Sequence, residues 1–231
     1  MRATNIHLPP LSAHDLRVVA GCVLRVLADS NRTGDIVTAE EITAQAQLAH
    51  LRETGVFETD EGRTLLAERP NLGKLDLAEL RGLSPETLGG AYARFFDTHA
   101  LSQEILNLPT PYTEDEELAY ILLRIRQVHD VWHTLVGLGT QGHEEILVHS
   151  FSLAQTGLPS SVALLVLGSL KHMVLEGRWD TLRHGLLRAH RIGTRAKPLL
   201  AIHWERRWEQ PLAAVRRELH ITPYYAAPPT P

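Results

Sequence analysis

Apolar residues recur at helical spacing through most of the chain, and no stretch of any length alternates apolar with polar positions, so the sequence predicts an all-α protein. Ser12 with Asp15 three residues on opens a helix to Asp29 that places Leu16, Val19, Val23 and Leu27 on one core-facing side. A turn at Ser30–Gly34 follows. Thr38 with Glu41 reads as a capping box before a more polar helix that ends near Gly55. Gly62 to Arg69 is a short helix stopped by Pro70, because the residue before a proline disfavours the α region. Ser84-Pro85-Glu86-Thr87 is a further helix start, running through Gly89, Gly90 and Tyr92 to Phe96. Paired glycines inside a helix cost roughly 1 kcal/mol each relative to alanine, so something must approach closely there, either a packed helix or a flat or extended apolar ligand.

The longest pattern is central. Thr113 with Glu116 reads as its capping box, and Leu118, Ile121, Leu122, Ile125, Trp132 and Val136 keep helical spacing until Gly137 and Gly139. A second helical pattern from about Glu144 to Thr156 runs back along it, which predicts a central antiparallel helix pair. Thr156-Gly157-Leu158-Pro159 ends that helix and the chain restarts at Ser160. Ser161 to Leu175 is apolar on almost every side, as in a buried helix or the wall of a lipid cavity; Val162 to Leu170 and Tyr92 to Phe96 are the candidate walls. Trp179 to Arg195 is basic and amphipathic, with Arg183, Arg188 and Arg191 on a solvated face or against anionic lipid. A last long helix is expected after Pro198, carrying His203 to Glu209 and ending at Leu219. The expected organisation is an N-terminal extension over 1–11, one all-helical domain of roughly eight to ten helices over 12–221, and a proline-rich disordered tail over 222–231.

Composition narrows the function classes. A chain of 231 residues with 44% hydrophobic and 22% charged residues can bury a substantial core, and a net charge of -4 without a basic stripe argues against nucleic acid. Cys22 is the one cysteine; it falls in an apolar helical pattern, reads as a buried thiol and suits a reducing compartment. The first twelve residues have no signal-peptide core, and the run Val162–Leu170 is far too short to span a bilayer. The expectation is a cytoplasmic protein whose membrane contact, if any, is peripheral.

The candidate chemistry lies on the central pair. His129 and His133, four residues apart, share one helix face with Asp130 at its edge, and Glu145 falls in the first turn of the next helix. A bare His-x-x-x-His is weak in a chain with thirteen histidines, where a chance pair on the surface or in the core is the bland alternative. His129 is in phase with the apolar stripe, however, and burying imidazoles beside carboxylates is costly unless a cation serves them all. Two histidines and a carboxylate match the protein ligands of a catalytic zinc site, with magnesium or iron left open. Asp130 is a fourth ligand, a water-mediated contact or a base, and Asp130 and His133 are the candidate catalytic residues. His143, Glu144 and His149 compete with Glu145, though His143 and Glu144 at a helix start read as exposed. Arg124 and Arg126 either steer an anionic head group or pair with acidic neighbours.

With those residues in place, the chain resembles the coenzyme Q biosynthesis protein 4 family of ubiquinone synthesis. His129-Asp130-x-x-His133, eleven residues and Glu145 reproduce the family's metal motif. Similar segments are Gly62-Arg63 through Glu68-Arg69-Pro70, Thr87-Leu88-Gly89 with Ala91-Tyr92, Ala119-Tyr120 before Arg124 and Arg126, Thr156 to Pro159, and Glu205-Arg206-Arg207-Trp208-Glu209-Gln210 leading to Arg217-Glu218-Leu219. The resemblance implies an all-helical homodimer holding a divalent metal, usually zinc, at His129, Asp130, His133 and Glu145, beside a cavity for an isoprenoid tail. It implies a role in ubiquinone synthesis: acting on a prenylated quinone precursor at the ring carbon that loses its carboxylate and gains oxygen, or organising the other quinone-biosynthesis enzymes as a lipid-binding scaffold without catalysis. Leu186 to His190 replaces a Pro-Trp-Ala segment common in the family, and no mitochondrial presequence of eukaryotic type is read here. A metal-dependent phosphohydrolase, suggested by the His-Asp dipeptide alone, is the remaining reading; it needs further His and Asp ligands that the sequence does not place.

Overall fold

The computed structural model describes residues 6–29, 32–176 and 179–226, without the side chains of 105 and 171–181. Among these residues the chain folds as a single helical domain whose order is α1 (Ala13–Ala28), α2 (Thr33–Glu53), α3 (Asp60–Glu68), α4 (Leu77–Arg81), α5 (Leu88–His99), α6 (Glu116–Val136), α7 (Gly142–Thr156), α8 (Pro159–Glu176), α9 (Trp179–Arg195) and α10 (Leu212–Glu218). No strand is present among them beyond an isolated antiparallel bridge between Thr87 and Pro211, so the all-α expectation holds. Residues 1–5, 30–31 and 227–231, which include parts of the expected extension, turn and tail, lie outside the described residues.

α6 is the axis of the core, with Ile121, Leu122, Val128, Val131, Trp132 and Leu135 all fully buried. Its start differs from the sequence expectation. Asp115, not Thr113, caps the helix, its carboxylate accepting from the amides of Glu117 and Leu118. Thr113 is buried and donates its hydroxyl to Glu41, which also accepts the Tyr112 amide at 2.6 Å. Burial pushes the Glu41 carboxyl up, against the pull of these bonds. The capping box expected at Thr38 therefore does not form: α2 begins earlier, at Thr33, and the Thr38 hydroxyl bonds the Gly34 carbonyl inside the helix.

Two other close approaches position the elements around α6. In α5, a Cβ on Gly90 would stand 2.2 Å from the Ser84 carbonyl oxygen, and one on Gly89 2.7 Å from Leu83, so the paired glycines serve tight packing and not a ligand. The first amides of α5 need acceptors from outside the helix, and the Gln210 and Trp208 carbonyls take those of Leu88 and Gly89 at 2.9 and 2.8 Å. That bonding explains why the last segment is not one long helix: residues 204–206 form a 3-10 turn, the chain is extended at Pro211, and only Leu212–Glu218 is α-helical. In α9, the small stripe Gly185, Ala189, Gly193 is buried, and a Cβ on Gly193 would lie 2.6 Å from the Phe151 carbonyl of α7. α7 accordingly makes its broadest contact with α9, then α8, and meets α6 more narrowly.

Two apolar faces are more exposed than their patterns suggest. On α1, capped by Ser12 and Asp15 as expected, Leu16 and Leu27 are more than half exposed, because the helix packs on α2 at the outer edge and buries Cys22. On α8, Val166 and Leu170 are also at least half exposed, so this helix is not buried on all sides. Of the expected tail, residues 222–226 lie against the domain, with the Tyr224 amide donating to the Val136 carbonyl at 2.7 Å.

Candidate metal centre

The last two turns of α6 and the first turns of α7 are joined by the short turn 137–141, whose Gly137 takes the left-handed conformation (φ 71°) that ends α6. That reversal brings His133 against Glu145 and His129 against His149, stepping down α6 while stepping up α7. The ligating atoms of His129, His133 and Glu145 lie within 4.8 Å of one another. His133 Nε2 is 3.3 Å and His129 Nε2 is 4.0 Å from Glu145 Oε2. In a tetrahedral site with bonds of about 2.0–2.2 Å, neighbouring ligand atoms stand roughly 3.3–3.6 Å apart. The His133–Glu145 distance already has that spacing, whereas His129 would have to draw in, since the group as a whole spans up to 4.8 Å.

The second nitrogen of each ring is directed away from the centre. His133, fully buried, places Nδ1 3.2 Å from the Leu138 carbonyl, which calls for a proton on Nδ1 and leaves the Nε2 lone pair toward Glu145. His129 places Nδ1 3.7 Å from Asp130 Oδ1. Both Nε2 atoms are buried and have no hydrogen-bond partner. Two unpartnered imidazole nitrogens facing one carboxylate form an acceptor-rich pocket that a cation satisfies, and the donor set suits a divalent ion of zinc type.

Electrostatics follow the same geometry. Burial works against ionised Glu145, but the imidazoles of His133 and His129 outweigh it and hold its carboxyl down to about 2. Burial likewise opposes a charged His129, yet the Asp130 and Glu145 carboxylates raise its pKa above the usual value. His149, one turn beyond Glu145 on α7, is pushed down to about 3 by burial and by the neighbouring His129. Its Nδ1 is also buried without a partner.

Of the four residues singled out by sequence, three converge and Asp130 stands behind His129 and outside the converging group. His143 is exposed, and Glu144 accepts from the Tyr225 hydroxyl at the surface. Arg124 does not face the centre: it is fully buried and held by both oxygens of Glu205, at 2.6 and 2.9 Å, with the Ile202 carbonyl at 3.0 Å. Arg126 pairs with Glu40 at 2.9 Å. Pairing, and not head-group steering, is what both arginines do. The separated extra ligands that a phosphohydrolase needs are not gathered among the described residues.

Two features had no sequence signal. Phe95 of α5 stacks on the His133 ring with centroids 5.3 Å apart, and Leu138 supplies the carbonyl that orients that ring. On the Phe95 side of His133 lies an open cleft of about 380 Å³ between α5 and the end of α6. Of the expected cavity walls, Phe95 lines this cleft, Tyr92 and Phe96 are core, and Val162–Leu170 of α8 lies elsewhere.

Comparison with known proteins agrees along most of the chain. A family model described as coenzyme Q (ubiquinone) biosynthesis protein Coq4 matches residues 5–225. The mouse protein named ubiquinone biosynthesis protein COQ4 homolog, mitochondrial, is 36% identical over 221 residues, covering 94% of this chain and 81% of its own. The human protein of the same name is 35% identical over 225 residues, covering 96% and 82%. Among solved structures, a Nostoc punctiforme protein described provisionally as a ubiquinone biosynthesis protein superposes with a TM-score of 0.70 at 26% identity, over 89% of this chain and 95% of that one.

Proposed function

Because the chain belongs to the coenzyme Q (ubiquinone) biosynthesis protein Coq4 family, we propose that it binds a divalent metal, zinc by its donor set, at His129, His133 and Glu145 and acts there on the head group of a prenylated quinone precursor. The observation that carries the metal reading is the pair of buried, unpartnered Nε2 atoms facing Glu145. A bound divalent ion supplies Lewis acidity toward a carboxylate or phenolic oxygen of the ring. Around it, the Leu138 carbonyl fixes the His133 tautomer and Asp130 orients His129 from behind, the role carboxylates play toward histidine ligands. Phe95 covers one face of His133 and keeps water from that ring. Glu145, a third exposed, leaves the centre open on one side to a reactant.

Zinc carries no redox chemistry, so replacement of a ring carboxylate by oxygen requires dioxygen activated by the substrate itself, by another metal or by a partner enzyme. The same reading takes the protein as a homodimer with peripheral membrane contact in the cytoplasm; the exposed Val166 and Leu170 support an apolar partner, and no described helix is long and apolar enough to cross a membrane. The test is metal analysis and conversion of a carboxylated prenyl-phenol by the purified protein and its His133→Ala variant. Loss of both metal and conversion is expected. Full metal occupancy with unchanged turnover would end the proposal, and metal binding without conversion in either protein would leave the scaffold role.

A further inference from the structure

α6 and α7 each bring two side chains to the centre at a spacing of four, His129 and His133 from α6 and Glu145 and His149 from α7. Stepping down α6 while stepping up α7, the pairs meet in order. His133 Nε2 is 3.3 Å from Glu145 Oε2, and one turn further on the rings of His129 and His149 have centroids 5.3 Å apart. Three of these four side chains have a use in the proposed centre, and His149 as yet has none.

The condition of His149 asks for one. Its Nδ1 is buried and makes no hydrogen bond, so it carries the cost of leaving water without a return. The ring beside it cannot supply the partner, because the Nε2 of His129 is itself buried and unpartnered. One cation serves both.

The spacing of the rings agrees. Bonds of about 2.0–2.1 Å in a tetrahedral site hold the centroids of two imidazoles roughly 5 Å apart. His129 and His133 stand at 4.7 Å and His129 and His149 at 5.3 Å, one on either side of that value. The His149 ring is thus at the separation of a ligand, although the group of atoms within 4.8 Å of one another does not include it as it stands. Turning the ring about its Cβ–Cγ bond, with α7 held where it is, brings a nitrogen toward that group. Asp130 does not compete for the place, since it lies at 3.7 Å from Nδ1 of His129 whereas Nε2 is the nitrogen near Glu145.

We propose that His149 is the fourth protein ligand of the resting centre, completing a set of three imidazoles and one carboxylate, with Asp130 confined to orienting His129. The inference rests on the proposed metal site. It changes what that site is at rest, from three protein ligands and an open position to a closed set of four. A reactant then has to add from the side of Glu145, whose side chain is a third exposed.

The experiment loads the full chain, labelled with 15N in its thirteen histidines, with 113Cd in place of zinc and counts the ring nitrogens split by the metal. Scalar coupling passes through bonds, so it marks the rings that ligate. Three split rings are expected, and His149→Gln and His149→Phe should each lose one of them and keep two. The same variants should bind zinc at least about tenfold more weakly by chelator competition, the least that loss of even an orienting partner costs. Two split rings in the parent, or a third that persists in both variants, would overturn the assignment and leave the metal at His129, His133 and Glu145 standing. A parent chain that takes up neither metal removes the site and the assignment together.

Discussion

α6 carries two buried polar clusters two turns apart, and they are built in opposite ways. Around Arg124, each formal charge meets its opposite: Glu205 grips both terminal nitrogens, His203 lies between Glu205 and Glu68 at 3.2 and 2.9 Å, and Arg206 and Arg207 bind Glu68 and Glu61. Around His133, both Nε2 atoms and a carboxylate oxygen face one another with no hydrogen bond made by either nitrogen. The Arg124 network stitches α3, α6 and the 203–207 turn together with each charge paired, although Arg124 Nε and His203 Nδ1 are left without hydrogen-bond partners. At the His133 centre like atoms face one another instead, and a proton or a metal ion between them would relieve that, which is the difference the proposed metal site rests on.

The sharpest way to break the comparison is to open the closed cluster. Removing one partner of a buried pair costs about 3–5 kcal/mol, so Arg124→Met should lower the unfolding free energy measured in urea by an amount of that order, while the folded fraction keeps the parent's zinc content. Opening the metal cluster should do the reverse. His133→Ala removes a proposed ligand and should weaken zinc by at least about 100-fold, beyond the upper range for loss of an orienting partner, with far less effect on the stability of the metal-free chain.

Acid titration of the chelated protein refines this further. His149 has a folded pKa near 3, below its value in the unfolded chain, so the unfolded state takes up its proton first and stability falls as pH drops from about 6.5 toward 3. Glu145, lowered to about 2, loses its contribution in a separate window, from about 4.3 down to 2. His129, raised, acts oppositely: its contribution is full below about 6.5 and lost as pH rises through its folded pKa. His149→Gln should therefore flatten the stability curve between pH 6 and 5 by up to one proton, about tenfold in the folding constant per pH unit. The smallest effect expected is that of Asp115→Ala, about 1 kcal/mol for the lost cap of α6 by thermal unfolding, with zinc content unchanged because the cap is at the far end of the helix.

Much of this was legible without coordinates. The spacing of Leu118 to Val136 set α6, the glycines after it set the reversal, and His129 and His133 stood out because helical periodicity fixes which side chains share a face, whereas Glu145 was singled out mainly by the spacing it shares with the family motif. Helix starts were less legible, since a Ser, Thr or Asp near a start bonds whichever donor the fold brings to it. Thr113 met Glu41 across the core, and Asp115 took the cap. The sequence by itself determined that the chain is helical and that His129 and His133 lie on one face of α6, because those follow from local spacing. Only the tertiary structure decided that Asp130 stands behind His129, that Arg124 is locked to Glu205, that α1 and α8 show apolar faces, and that Arg94 and Phe95 border an open cleft at His133. Each of these depends on which distant segment packs against a given face, and periodicity along one helix says where a face is without saying what will meet it.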